Sequence, residues 1–189
     1  MSELHPEQQR ALDYLARRGT NATAEELHSQ LRHAFRSIDD LFADVRIEER
    51  EAQPAPGKWS AHQILDHLVL SHEPAIEQLA SLLAGVSPEG VAIPADLQSP
   101  DDERPSWDEL IDRMRGMHRQ YSRMIGAAND ALSLEPKAVI EMVVKIDGAP
   151  VHWHERVDWK AFAQGVRVHT LEHRGQLERA LTALRTASP

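Results

Sequence analysis

Four long segments of the chain repeat apolar residues every three or four positions, and each begins with a recognisable helix cap. This spacing places the apolar side chains on one face of an α-helix, so the segments predict amphipathic helices. Three of them start with a capping box, at Thr23, Ser60 and Ser106, and the fourth starts with the N-cap residue Asp158. Helices of this kind bury their apolar stripes against one another, which predicts an all-α antiparallel four-helix bundle.

The connections between these helices are marked by Pro, Gly and small polar residues. The predicted helices cover residues 23–45, 60–84, 106–125 and 158–185. Pro74 falls inside the second helix and predicts a kink. Residues 85–105 hold four prolines and two glycines, which predicts a long loop of the kind that is usually functional or mobile.

Two smaller elements are predicted outside the four long helices. A short helix at residues 6–18 belongs to an N-terminal extension, residues 1–22, and the bundle domain then spans residues 23–189. Alternating apolar residues on both sides of Asp147-Gly148 predict a small β-hairpin before the last helix. A helical interpretation of residues 138–146 remains open from the pattern alone.

The composition narrows the class of function. The 189 residues include 21 Lys and Arg against 30 Asp and Glu, and the net charge of -9 disfavours nucleic acid and anionic membranes as partners. No apolar run approaches the roughly 20 residues of a membrane span, and the N-terminus does not resemble a signal peptide, so we expect a cytoplasmic location. The chain has no cysteine, which leaves its 11 histidines as the main candidates for chemistry.

Three histidines occupy stripe positions that packing alone would fill with leucine. His169 and His173 are four residues apart on the fourth helix, so their imidazoles project from one face, about 6 Å apart at Cβ. His67 lies on the stripe of the second helix, which faces the same interior. Three neutral imidazoles from two helices predict a metal site with open positions for water or substrate. The alternative is a set of hydrogen-bonded core histidines.

Three further residues are candidates for proton transfer near this site. Glu172 directly precedes His173 and is a candidate general base or supporting carboxylate. His118 lies on the stripe of the third helix and is a candidate fourth ligand or general base. Tyr121 follows on the same stripe and is also a candidate for moving protons. We therefore assign Glu172, His118 and Tyr121 as catalytic candidates and the three stripe histidines as metal ligands.

Five other residues carry weaker expectations. His62 and His72 lie off the main stripe of the second helix and are expected at the surface or the rim. Arg167 and Arg174 are candidates for anion binding near the rim of the site. Gly175 costs the last helix about 1 kcal/mol relative to alanine, so it is expected to allow close backbone packing beside the site.

Two short motifs resemble the signatures of a known family. The opening signature of the DinB/YfiT-like superfamily is similar to Gly57-Lys58-Trp59-Ser60, followed by Ile64-Leu65 and His67-Leu68. Its closing signature is similar to His169-x-x-x-His173-Arg174-Gly175-Gln176, and the resemblance covers about residues 23–185. It implies a four-helix bundle with an up-down-down-up helix order. It also implies a divalent metal ion held by His67, His169 and His173, the residues that the stripes select.

The resemblance implies two classes of activity. Some members resemble thiol transferases or isomerases that activate a low-molecular-weight thiol at the metal, and others are described as metal-dependent hydrolases. The expected cofactor is zinc or nickel, with iron or manganese as alternatives, joined by a low-molecular-weight thiol in a transferase. The substrate is an unidentified small molecule, and the resemblance also implies a homodimer. A non-catalytic metal-binding or stress-related interaction module is the alternative function.

Overall fold

The computed structural model describes residues 4–187, which form five α-helices and one β-hairpin. Residues 1–3 and 188–189 of the predicted extension and bundle domain lie outside this range. Helix α1 (Pro6–Leu15) continues into a π-helical segment, Ala16–Thr20, and a short 3-10 helix covers Ile47–Glu49. The other elements are α2 (Ala24–Ala43), α3 (Ala61–Leu83), α4 (Trp107–Ala127), β1 (Ala138–Ile146), β2 (Ala149–Val157) and α5 (Trp159–Ala187).

Local hydrogen bonds explain where the four long helices begin. Thr23, Ser60 and Ser106 each accept a hydrogen bond from the backbone N–H three residues later. Asp158 accepts two hydrogen bonds from the first turn of α5, each 3.0 Å long. These caps satisfy backbone donors that a helix start would otherwise leave unpaired. The helix starts predicted from the sequence are therefore confirmed.

The long helices pack around one hydrophobic core. Helix α2 packs against α4 and α5, and α3 packs against the same two helices. Fully buried side chains from all four helices include Leu31, Leu68, Leu110 and Leu177. The apolar stripes therefore face a common interior, as their spacing predicts. None of the helices in the described range has the length and apolar character that crossing a bilayer requires.

The segment between α4 and α5 is an antiparallel β-hairpin. Its register runs from Ala138 opposite Val157 to Ile146 opposite Ala149. The turn residues Asp147 and Gly148 have φ values of 51° and 84°, the left-handed conformations that a tight hairpin turn requires. Residues 138–146 thus form a strand rather than a helix, because the turn brings a second β-branched and aromatic strand alongside them.

The loop between α3 and α4 is tied to the first half of α3. The Asp66 carboxylate is buried and accepts hydrogen bonds from the backbone N–H of Ser99 at 2.7 Å and from its hydroxyl at 2.8 Å. Gln98 Nε2 donates to the carbonyl oxygen of Gln63 at 2.8 Å. Arg104 Nε lies 3.8 Å from the Asp66 carboxylate. The predicted loop is therefore an ordered cover over α3.

Candidate metal centre

Helices α3 and α5 bring three histidines together inside the helical core. One ring nitrogen from each of His67, His169 and His173 lies within 4.8 Å of the other two. The Nε2 atoms of His67 and His169 are 3.0 Å apart. The ring centroids are separated by 4.5 to 5.1 Å. The histidines that the sequence analysis selects on two separate helices therefore form one cluster, which we call the three-histidine cluster.

Hydrogen bonds orient two of the three imidazoles. His67 Nδ1–H donates to the carbonyl oxygen of Leu97 at 2.9 Å, and His173 Nδ1–H donates to Gln176 Oε1 at 2.9 Å. A carbonyl oxygen can only accept, so the hydrogen of His67 lies on Nδ1 and its Nε2 carries a lone pair. Metal-binding histidines commonly have this second hydrogen bond, which fixes the tautomer and the direction of the ring.

Burial keeps the imidazoles of the cluster neutral. It lowers the pKa of His67 and lowers the pKa of His169 well below its ordinary value. Burial, together with the neighbouring His67 ring, lowers the pKa of His173 to about 4. A protonated ring in this place would lose its hydration and would repel any second positive charge. The neutral imidazole is the form that binds a metal ion.

The contact between His67 and His169 tests whether a metal fits. The lone pairs of two unprotonated ring nitrogens repel one another at 3.0 Å, so a hydrogen atom or a cation must lie between them. It is either a proton on His169 Nε2 or a metal ion bound to both rings. Three neutral imidazoles are a donor set that zinc, nickel and other first-row divalent ions accept. The residues present therefore fit a divalent metal, with the hydrogen-bonded pair as the alternative.

Trp59, which precedes α3, and Ser71 within α3 border the cluster. The Trp59 ring is stacked on His173, with 6.0 Å between centroids and 10° between planes, and its centroid lies 5.0 Å from that of His67. Trp59 directly precedes the N-cap Ser60, so the start of α3 determines where the indole lies. Ser71 Oγ lies 3.5 Å from His67 Nε2 and donates to the backbone carbonyl of His67. Sequence reasoning missed the stacking of Trp59 on His173, because that contact depends on how α3 and α5 pack.

Glu172 is the catalytic candidate that lies beside the cluster. Glu172 lines a cavity whose walls also include His169 and His173. Although the residue is exposed, the surrounding atoms partly exclude water from the carboxyl group, which raises its pKa. An acidic residue and two histidines of the cluster therefore border the same cavity.

His118 and Tyr121 lie outside the three-histidine cluster. His118 Nδ1 is 3.0 Å from Asp39 Oδ1, and its ring is stacked on Phe35 with 4.0 Å between centroids. The buried Tyr121 hydroxyl donates to the backbone carbonyl of His72 at 3.4 Å, and burial raises its pKa well above its ordinary value. Neither belongs to the group of facing ring nitrogens in the described chain. Their contacts join α4 to α2 and α3.

The expected position of His62 and His72 at the surface or the rim is wrong, because both are buried. Their exposed fractions are 8% and 1%. His62 Nε2–H donates to the carbonyl oxygen of Pro105 at 2.9 Å, and its Nδ1 pairs with Glu51. His72 lies between His118 and Tyr121 of α4. Helix α3 is covered on several sides, so an off-stripe position on it is buried as well.

Two expectations for α5 also need revision. A Cβ atom at Gly175 would meet one arginine side chain at 3.2 Å and no backbone atom, so the expected close backbone packing is wrong. Arg174 pairs with Glu178 one turn along the same helix at 3.0 Å. Arg167 Nη1 lies 3.5 Å from the hydroxyl of Tyr14. Both arginines thus contact other groups and do not line the cavity beside the cluster.

The sequence matches the model of a known protein family. The model of the DinB superfamily matches residues 30–138, which is more than half of the chain. The matched segment includes His67, whereas His169 and His173 lie beyond it. A search of curated proteins gives no significant match.

Solved structures share the fold at low sequence identity. YfiT from Bacillus subtilis, described as a probable metal-dependent hydrolase with an unusual four-helix bundle topology, is 12% identical with a TM-score of 0.60. The alignment covers 85% of this chain and 87% of YfiT. A candidate DinB family member from Exiguobacterium sibiricum is 18% identical with a TM-score of 0.54, and the alignment covers 88% of this chain and 94% of that one. The family model matches more than half of the chain, and these solved structures share its fold. This chain therefore belongs to the DinB superfamily.

Proposed function

We propose that this chain is a metal-dependent enzyme in which His67, His169 and His173 hold a divalent metal ion. The observation that carries the proposal is the convergence of three neutral ring nitrogens within 4.8 Å. His67 and His173 each make a hydrogen bond through Nδ1, which leaves Nε2 free to bind a metal, as is common for metal-binding histidines. The description of the similarly folded YfiT as a probable metal-dependent hydrolase also supports it.

The proposed helix order is up-down-down-up, as the family resemblance implies. A hydrogen bond joins Lys160 to Ala22 where α2 and α5 begin, and another joins Arg185 to Asp44 where both helices end. These contacts support a parallel arrangement of α2 and α5. Antiparallel packing of α3 with α5 is supported by the ring contacts of Trp59 with His173 and of His72 with His169. Antiparallel packing of α2 with α4 is supported by the ring contact of Phe42 with Trp107 and the hydrogen bond between His28 and Ser122. This order would place the ligands from α3 and α5 on neighbouring helices.

The proposed chemistry is activation of a water molecule or a small thiol. When bound, a divalent ion makes either group more acidic, so one site can serve hydrolysis or thiol transfer. Leu97 and Gln176 hold the rings of His67 and His173 in the orientation for binding. Trp59 covers one side of the cluster and limits access of bulk water. Glu172, which lines the same cavity, is the proposed acceptor of the proton from the activated group.

Elemental analysis tests the metal site directly. The protein is purified without an affinity tag, chelator or nickel resin, and we expect about one divalent ion per chain. Zinc or nickel is the proposed ion, with iron or manganese as alternatives. The absence of bound metal, even after incubation with each of these ions, would refute the proposal and leave the histidines as hydrogen-bonded core residues.

His173→Ala tests the ligand assignment. We expect the variant to bind metal at least about tenfold more weakly, because it loses one of three ligands. Helicity measured by circular dichroism should stay largely intact. The matched control is His33→Ala, which removes an exposed histidine from α2 and should leave the metal titration unchanged. Unchanged stoichiometry and affinity in His173→Ala would contradict the assignment.

A further inference from the structure

A cavity of about 450 Å³ opens beside the three-histidine cluster. Its volume lies within the range of small-molecule sites. Helices α1, α3 and α5, strand β1 and the α3–α4 loop all contribute to its walls. His169, His173 and Glu172 form part of these walls, so a compound in the cavity would contact the proposed metal face.

The N-terminal extension encloses this cavity. Ala11 and Tyr14 of α1 line it, opposite strand β1. The Tyr14 hydroxyl accepts hydrogen bonds from Gln164 Nε2 at 3.1 Å and from Arg167 Nη1 at 3.5 Å, which holds α1 on α5. The cavity is therefore built by elements that lie outside the four long helices as well as by α3 and α5.

Most of the wall residues are apolar. They include Val139, Ile140 and Val144 of β1 and Phe162, Val166 and Val168 of α5. Burial of an apolar compound against such walls is favourable by about 25 cal/mol per Å² of apolar area removed from water. The walls thus select for a compound with a largely apolar body.

The charged residues of the walls are acidic. Glu141 is already satisfied, since it accepts from the backbone N–H of Ala95 at 2.7 Å and pairs with His152 Nδ1 at 2.8 Å. Glu172 is the second acidic group, and in the described part of the chain no Lys or Arg lines the cavity. An anionic group on the body of a ligand would lose hydration without gaining a cationic partner. A bound metal ion would relieve this only at the end beside the cluster.

Two wall residues contain buried polar atoms without a hydrogen-bond partner among the described residues. They are Gln78, through its Oε1 atom, and His72, through both ring nitrogens. Because these atoms are buried, they add little polar surface to the cavity, and the walls favour an apolar compound.

We infer that the cavity holds the substrate, an apolar compound that carries no anionic group on its body. Its reactive polar end lies against His169 and His173, and its apolar body lies between β1 and α5. The inference rests on the proposed function, because it takes the metal face as the place of reaction. It names the substrate class that the family resemblance leaves open.

Two fluorescent probes with the same ring skeleton test this selectivity. N-phenyl-1-naphthylamine is uncharged and has one N–H donor, and 8-anilinonaphthalene-1-sulfonate adds an anionic sulfonate. Both are titrated against the metal-loaded protein and against chelator-treated protein. We expect the Kd of the uncharged probe to be about tenfold lower or more in both. Equal affinity for the two probes, or tighter binding of the sulfonate, would overturn the inference.

A substitution at Gly165 tests the location of the probe. Gly165 lines the cavity from α5, and a Cβ atom there would meet no atom within 4 Å. Gly165→Leu therefore adds side-chain volume to the cavity from a Cβ position that is free of contacts, and it should weaken binding of the uncharged probe about tenfold or more. The matched control is Gly116→Leu on α4, where a Cβ atom would meet only an arginine side chain at 3.9 Å. It should bind the probe as the unmodified chain does.

Thermal unfolding and metal content complete the test. Neither glycine variant should have a lower Tm, because leucine favours helix more than glycine does, and both should keep the metal ion. Binding of the probe by Gly165→Leu at unchanged affinity would overturn the inference. A protein that holds the metal but does not distinguish the probes overturns the inference alone. A protein that takes up no metal overturns the proposed function and the substrate role with it.

Discussion

His67 shows how single residues shape the candidate site, because its two ring nitrogens have different partners. Nδ1–H donates to Leu97 of the loop, and Nε2 faces His169. His67 could be selected from the sequence because it interrupts an apolar stripe. Its partner Leu97 could not, because a backbone carbonyl in a long loop leaves no sequence signal.

Glu172 is a second single residue of the candidate site, and its substitution separates proton transfer from metal binding. In the turnover assay that identifies a substrate, Glu172→Gln should lower kcat about 10²-fold, because the amide cannot accept the proton. Metal content should stay the same, since Glu172 is not a ligand in the proposal. Glu178→Gln removes an exposed carboxylate from the same helix and serves as the control. Unchanged kcat in Glu172→Gln would exclude the proton-transfer role.

Gly19 lies so close to the backbone of α5 that a larger residue would clash there. It lies in the π-helical segment, and a Cβ atom there would be 2.6 Å from the Cα of Ala161. Gly19→Ala should therefore destabilise the protein by about 1 to 3 kcal/mol, because the segment must move away from α5. Urea unfolding measures the change. Gly116→Ala, where space is available, should be neutral or stabilising, and the same result for both variants would contradict this packing.

At the scale of elements, the α3–α4 loop determines how well His67 is held. Asp66 binds the backbone and hydroxyl of Ser99, two residues after Leu97. Periodicity and proline content predict the loop, but they cannot show that it folds back onto α3. That contact explains why an acidic residue is buried inside α3.

Asp66→Asn should weaken metal binding through this loop. The amide keeps the size of the side chain but loses the charge that strengthens both hydrogen bonds from Ser99. We expect metal affinity to fall about 10-fold to 100-fold, with faster hydrogen exchange in residues 97–104 and unchanged helicity. Asp101→Asn is the control, because Asp101 lies in the same loop with its side chain 90% exposed. Wild-type affinity in Asp66→Asn would show that the loop does not support the site.

At the scale of the whole molecule, an ion-pair network joins the ends of α2 and α5. Arg185 donates to Glu49 Oε1 at 2.7 Å and to Asp44 Oδ2 at 3.0 Å. The hydrogen bonds from Arg185 lower the pKa of Glu49 from 4.5 to about 2. The folded protein therefore protonates this carboxylate at lower pH than the unfolded chain does.

This shift predicts a pH dependence of stability. A lowered pKa in the folded state stabilises it above pH 4.5, and this contribution is lost as the pH falls from 4.5 towards 2. Glu49→Gln should lower the free energy of unfolding by about 1.5 kcal/mol at pH 7 and by less at pH 3. Urea unfolding at pH 7, 5 and 3 measures the difference. Glu48→Gln, at an exposed position, should show little change, and a constant loss for Glu49→Gln at all three values would contradict the linkage.

The four long helices and their starting residues follow from the sequence by itself, because caps and periodicity depend on residues a few positions apart. The pairing of His169 with His173 is equally local, and His67 is found by the same stripe argument. The burial of His62 and His72, the contact of Leu97 with His67 and the cavity beside the cluster are decided only by the tertiary structure. Each depends on which face of a helix another element covers, and that choice is made by contacts between residues far apart in the chain.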